Sequence, residues 1–438
     1  MVATPNTDPD PAAASTETDN HEAGTADPNP EAAPAASPAE PAAPIGPATA
    51  PGAAFDMPII ASVAGAHLVH DTYPAFLGVL LPLLIPRLGI SLAVAGLLAA
   101  SFRLATVIQP VLGYVADRAD TRYWIILAPA VTAVAIGLLG LAPAPAFVAL
   151  LLVIAGVSSS VFHPAAAALV TRASGTHWGR GTSVFMAGGE SGRAIGPVFI
   201  AVVLALVGLE WSWLAMIPGL VASGILYFRL ANRPSVHLRH PAGSIRTALG
   251  EARRGFLLLS GVSALLSMAT VGLLVFIPTY LTQSGADILL AGAAVTAFEI
   301  GGAVGAFSGG TLSDRIGRRA MLAISCGLGA PLLIVALWMP IGPLMLIVLA
   351  LAGLVLLSAG PVELVLMQEL LPNNRSAAVG LNIFALTMAS AVGTVAVGAV
   401  GQAIGLQAAL VLAATVALFA LPLIALLPET RHVSRAAR

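Results

Sequence analysis

The stretch GYVADRADTR at residues 113–122 returns as GTLSDRIGRR at residues 310–319, 197 positions later. The same offset carries Pro164 onto Pro361 and Gly196 onto Gly393. Several matches at one offset indicate a chain built as two parallel repeats. Each copy is a short polar turn between long apolar runs, so the nature of those runs settles the fold class.

The 438 residues are 58% hydrophobic and only 9% charged, a balance foreign to soluble domains. A bilayer core about 30 Å thick takes roughly 20 apolar residues per helical crossing. Runs of that length recur after residue 56. Their breaks place twelve helices near 58–86, 92–115, 124–142, 145–171, 182–207, 211–230, 255–283, 288–311, 320–339, 342–370, 379–404 and 406–427. The expectation is an all-α membrane protein of twelve transmembrane helices in two pseudo-symmetric six-helix halves.

The domain plan follows from composition. Residues 1–56 are Ala- and Pro-rich, hold nine of the 21 acidic residues and no Lys or Arg, and read as a disordered acidic tail. A first bundle covers 57–230, a polar, basic linker 231–254, a second bundle 255–428 and a short tail 429–438. All 20 basic residues are Arg. Seventeen of them, counting Arg229 at the end of the sixth helix, fall in connections or tails that an even-numbered crossing pattern puts on one side, which places both termini in the cytoplasm. The single cysteine, Cys326, excludes an intrachain disulfide and a clustered thiolate metal site.

Ionisable side chains inside such helices cost roughly 2.5–3.5 kcal/mol on insertion scales, so they face a cavity or a partner. In HLVHDTYP (67–74), His67, His70 and Asp71 are spaced i, i+3, i+4 on one face of the first helix. Arg103 in the second helix lies at a similar depth, so a buried Asp71–Arg103 pair is expected if the faces meet, with a nearby histidine able to titrate near neutral pH. Glu190 and Arg193, at i, i+3 in the fifth helix, can pair along it, and Glu299 in the eighth helix is placed to answer Arg193 across an interface. Gly192 and Gly196 suit close helix packing, beside Pro197. His163 and Glu363 stand beside the matched prolines Pro164 and Pro361, each able to break a helical ladder and bend the chain into a gate. For each of these residues a structural role competes with a proton or substrate role.

The repeated turns carry Gly113, Asp117 and Arg118 in the first copy and Gly310, Asp314, Arg315, Gly317, Arg318 and Arg319 in the second. Asp117 with Arg118, and Asp314 with Arg315, would form charge-assisted bonds that latch the junction of the two halves. A turn that only sets topology is the simpler reading of any single Arg here.

GTLSDRIGRR closely resembles the loop signature of the major facilitator superfamily, and GYVADRADTR a degraded copy with Asp120 and Thr121 where the family favours Gly and Arg. HLVHDTYP, SFRLATVIQPVLGYVADR, SSSVFHPAAAALVTRASG, SVFMAGGESGRAIGP, QELLPNNRSAAVGL and LPETRH resemble the fosmidomycin-resistance family of drug exporters within it. GRAIGP resembles part of the superfamily's proton-antiporter signature. The resemblance implies outward transport driven by protons, with the first, fourth, seventh and tenth helices lining one cavity around Asp71, His163 and Glu363. His70, Arg103, Ala165 and Glu190 stand where family members carry Asn, Gln, Glu and Asn.

No GxxxxGK[ST] loop, no HExxH and no clustered Cys/His set appears. The chain is expected not to be an enzyme and to use no cofactor, metal or nucleic acid. The reading is a monomeric proton-coupled exporter of small anionic or amphipathic compounds, antibiotics included, in the bacterial inner membrane. Its partners are the substrate, protons and lipid. An uptake symporter for a small metabolite such as an organic acid, or a non-transporting receptor on the same fold, are the alternatives.

Overall fold

The computed structural model describes residues 55–116, 120–232, 253–371 and 375–428. The acidic tail through residue 54, linker residues 233–252, the tail from 429, and Asp117 and Arg118 lie outside them. Among the described residues twelve helices are long and apolar enough to cross a membrane. They are α1 (Met57–Leu88), α2 (Leu92–Leu112), α3 (Arg122–Leu141), α4 (Pro145–Ala173), α5 (Gly175–Val207), α6 (Leu209–Leu230), α7 (Arg253–Gln283), α8 (Ile288–Ile316), α9 (Arg318–Trp338), α10 (Pro343–Leu370), α11 (Val379–Ile404) and α12 (Leu406–Ala425).

Helix starts follow local chemistry. The Asp56 side chain accepts from Ile59 N–H at the head of α1, Ser91 from Val94 N–H at α2, and Asp287 from Leu290 N–H at α8. Gly317, at φ 104°, makes the α8–α9 turn that a side chain would strain. Two helices outrun the apolar windows. The α5 helix starts at Gly175 rather than 182, and α8 runs to Ile316 rather than 311, because a helix that leaves the lipid can continue with polar residues.

Large apolar side chains face outward, Phe228 at 86% exposure and Leu206 at 78%. That is the surface a lipid-solvated protein presents. The interior is joined by close helix pairs. Gly188, Gly192 and Gly196 of α5 lie one turn apart, and a Cβ on each would collide with the carbonyl oxygens of Ala64, Leu68 and Thr72 on α1. Backbone therefore meets backbone along that seam. In α8, Gly301, Gly305 and Gly309 likewise face Ala350, Leu354 and Ser358 of α10. The α1–α5 pairing recurs as α7–α11, and α2–α4 as α8–α10; α2 also packs on α11, and α5 on α8. These pairings share the six-helix step of the repeated turns.

Helices are interrupted near proline in both halves, α2 by a 3₁₀ turn over Thr106–Ile108 ahead of Pro110 and α12 by one over Ala417–Phe419 ahead of Pro422. The α1 helix tightens into a 3₁₀ turn over Tyr73–Ala75 at Pro74, where Tyr73 N–H reaches His70 O. The α10 helix breaks at Ser358, three residues before Pro361. Its counterpart Pro164 does not break α4, which is one continuous helix from Pro145 to Ala173.

Candidate functional site

The α1–α5 seam determines where His67 points. A Cβ on Gly189 would collide with its imidazole, so the ring fits against that glycine, stacked 4.1 Å from the Phe185 ring. Its Nδ1 is 2.8 Å from the Phe185 carbonyl oxygen. One turn on, Asp71 places Oδ2 3.2 Å from His67 Nε2 and Oδ1 3.2 Å from Nε2 of His163 on α4. His163 Nδ1 is held 2.8 Å from the Ser159 carbonyl of its own helix. The three side chains thus converge, their facing N and O atoms all within 4.8 Å of one another.

The expected Asp71–Arg103 pair does not form. Matching depth left the lateral position open, and the aspartate faces α4 and its histidine instead. Arg103 makes no ion pair among the described residues; its guanidinium carbon is 5.7 Å from the Phe102 ring centre. His70 is fully buried, its ring stacked 4.4 Å from Phe162. Neither of its ring nitrogens makes a hydrogen bond of normal geometry among the described residues.

A second charged group bridges α5 and α8. Arg193 bonds Glu190 one turn away on its own helix, and its Nε is 3.7 Å from Glu299 Oε2 on α8. Both expected partners of Arg193 are therefore in place. The contact is braced one turn further along α5, where Val198 N–H, next to Pro197, donates to Thr296 Oγ1 at 3.1 Å. The Arg193 side chain is 44% exposed, against 14% for Glu190 and 9% for Glu299. The triad opens on its cationic side. Asp71 and Arg103 are close enough to add to its electrostatic field.

Glu363 does not join the Asp71–His163 group by any contact in the structure. It accepts a hydrogen bond from Ser263 of α7 at 2.6 Å, and Asn382 of α11 donates to Ser263 at 3.4 Å. Ser263, Asn382 and Thr296 were invisible as site residues in the sequence, because a lone hydroxyl or amide in an apolar run marks no partner. Ser159 could have been found, since it stands one turn before His163.

In the second repeated turn Asp314 pairs with Arg318, four residues on, at 2.8 Å, and not with the adjacent Arg315, which closes the last turn of α8. Adjacent helical residues diverge by 100°, whereas the turn at Gly317 sets Arg318, the first residue of α9, beside the last turn of α8. Arg318 also donates to Ser313 Oγ at 2.6 Å and lies 3.3 Å from Glu369 on α10. Arg319 donates to the Ala425 carbonyl at the end of α12 at 2.6 Å. These bonds clamp α8–α9 to α10 and α12 within the second repeat; the expected bond between Asp117 and Arg118 lies outside the described residues. Gly310 faces Pro361 across the α8–α10 seam. In the first turn, Gly113 lies on the helix that continues α2 to Ala116, and Arg122 bonds Asp120.

The family model of the Major Facilitator Superfamily matches residues 63–293 and 259–438. The uncharacterized MFS-type transporter YfnC of Bacillus subtilis is 30% identical over 80% of this chain and 88% of its own. The fosmidomycin resistance protein of Escherichia coli is 27% identical over 74% of this chain and 81% of its own. A crystal structure of a bacterial homologue of the human lysosomal transporter Spinster, inward-facing and unoccupied, superposes with a TM-score of 0.71 at 16% identity, covering 84% of this chain and 96% of that one.

Proposed function

The chain belongs to the major facilitator superfamily, and from that premise we propose that it is a secondary active transporter exporting small amphipathic compounds in exchange for protons. It has the transporter fold and is not an enzyme. The observation that carries the reading is that two carboxylates, Glu190 and Glu299, share the single guanidinium of Arg193 between α5 and α8. One negative charge is in surplus there. That surplus carboxylate takes either a proton or a donor group of the substrate, and two ligands that exclude each other at one site are exchanged across the membrane. The antibiotic named in the E. coli relative makes fosmidomycin the first compound to try. In this reading the protein works as a single copy in the inner membrane with both termini in the cytoplasm, following the arginine distribution.

A second reading is favoured by Arg103, which has no ion-pair partner among the described residues. An anionic group docked on Arg103 strengthens proton binding at the carboxylates facing it, so anion and proton load together, as in an uptake symporter for an organic acid.

Substrate-induced proton movement in everted vesicles separates the two. Adding fosmidomycin or another exported compound to vesicles holding an acid interior releases protons outward under exchange. Under symport, the compound enters with no such release. Vesicles lacking the protein show neither response.

A further inference from the structure

The proton-exchange reading leaves the His67–Asp71–His163 group unused, and its hydrogen bonds pose a chemical problem. A carbonyl oxygen only accepts. The 2.8 Å contacts from His67 Nδ1 to Phe185 O and from His163 Nδ1 to Ser159 O therefore place the ring hydrogens on Nδ1. In its neutral form each ring then presents the lone pair of Nε2, and both Nε2 atoms face the Asp71 carboxylate at 3.2 Å. With both rings neutral, three electron-rich atoms from two helices are gathered around a gap that a cation would fill.

We propose that this group is a binding site for a divalent first-row transition-metal ion of the Zn²⁺ type, with His67 Nε2, His163 Nε2 and an Asp71 oxygen as ligands. Two imidazoles and one carboxylate are a borderline donor set that suits Zn²⁺ and its neighbours and disfavours Mg²⁺ and Ca²⁺, which take oxygen. The Nδ1–H bonds to backbone carbonyls are the outer-shell contacts that fix the tautomer and aim of metal-binding histidines. They come from two different helices, which makes chance agreement a poor explanation. Three protein ligands leave a coordination position free for water or cargo. The His163 side chain is 28% exposed, against 4% for His67 and 11% for Asp71, so the open side and the entry route lie at His163. An ion held there cross-links α1 to α4.

The test uses the untagged full chain in detergent, stripped with a chelator and titrated with Zn²⁺ by calorimetry and with Co²⁺ by visible absorption. The expected result is one tight Zn²⁺ per chain, visible Co²⁺ ligand-field bands, and no competition from millimolar Mg²⁺. His67→Gln, Asp71→Asn and His163→Ala should each weaken binding by about tenfold or more. His177→Ala, in the first turn of α5, should leave it unchanged and shows that losing a histidine alone is not the cause. His163 is the most exposed ligand, so H163A keeps the test valid if changes at the buried pair prevent folding. Absence of stoichiometric binding, or binding that survives all three changes, overturns the proposal. Either result concerns the metal alone, because the exchange reading rests on Arg193 and its carboxylates.

Discussion

Arg193 on α5 sits with its Nε 3.7 Å from Oε2 of Glu299 on α8, while it also bonds Glu190 on its own helix. The contact joins two helices that belong to different copies of the repeat. A change in the charge of either carboxylate therefore alters the attraction between them, at a seam that rocking of one half against the other has to open. Glu299→Gln is expected to keep the fold and to lower proton-driven accumulation of substrate by about tenfold or more, a change of roughly 1.4 kcal/mol in the coupling. Downhill movement of substrate should persist. Uptake into everted vesicles with and without an imposed pH gradient measures both.

The α1–α5 seam holds His67 in place through backbone approach. Gly192→Val puts a branched side chain against Leu68 O and should cost about 1–3 kcal/mol, as overpacking does. Gly65→Ala, where a Cβ meets nothing within 4 Å, should be neutral or stabilise by up to about 1 kcal/mol. Thermal unfolding in detergent, followed at one protein concentration, compares them.

Tyr73 is fully buried, and its hydroxyl donates to Ala215 O at 3.0 Å while accepting from Gly219 N–H at 2.8 Å. Tyr73→Phe keeps the ring and orphans both backbone groups, at about 1–3 kcal/mol. The expected result is a lower unfolding temperature with substrate binding retained by the folded fraction.

Arg318 ties Ser313, Asp314 and Glu369 together at the second repeated turn. Arg318→Lys retains the charge and loses the fork, so it should recover only part of what Arg318→Ala loses. Transport rate and unfolding temperature together separate a clamp from a turn that sets topology only, because the latter would leave both unchanged.

The fold was legible because lipid imposes one rule on every segment. Apolar length marks each crossing, and the α1 and α12 windows at 58–86 and 406–427 fall within a few residues of Met57–Leu88 and Leu406–Ala425. Contacts within one helix were legible too, as the Glu190–Arg193 spacing shows. Lateral placement was not. Depth matched Asp71 to Arg103, yet rotation about α1 turned the aspartate toward His163. The partners on Phe185 and Ser159 are carbonyl oxygens, which every residue carries and no pattern marks. Pro164 and Pro361 occupy matched positions, but the helix breaks only near Pro361, so matched sequence did not ensure matched geometry.

The pH dependence of substrate binding to the purified protein tests the exchange at Glu190, Arg193 and Glu299 most directly. The charged and titratable groups facing that site are Arg103 of α2, Asp71 of α1 and His163 of α4, and all three remain unaltered in the comparison of the parent with Glu299→Gln and Glu190→Gln. For a compound that passes the vesicle test, competition with one proton predicts that affinity falls as the pH is lowered, approaching tenfold per pH unit, and that this slope flattens in at least one of the two variants. Affinity that rises on acidification, or a slope left intact in both variants, would contradict proton exchange at this site.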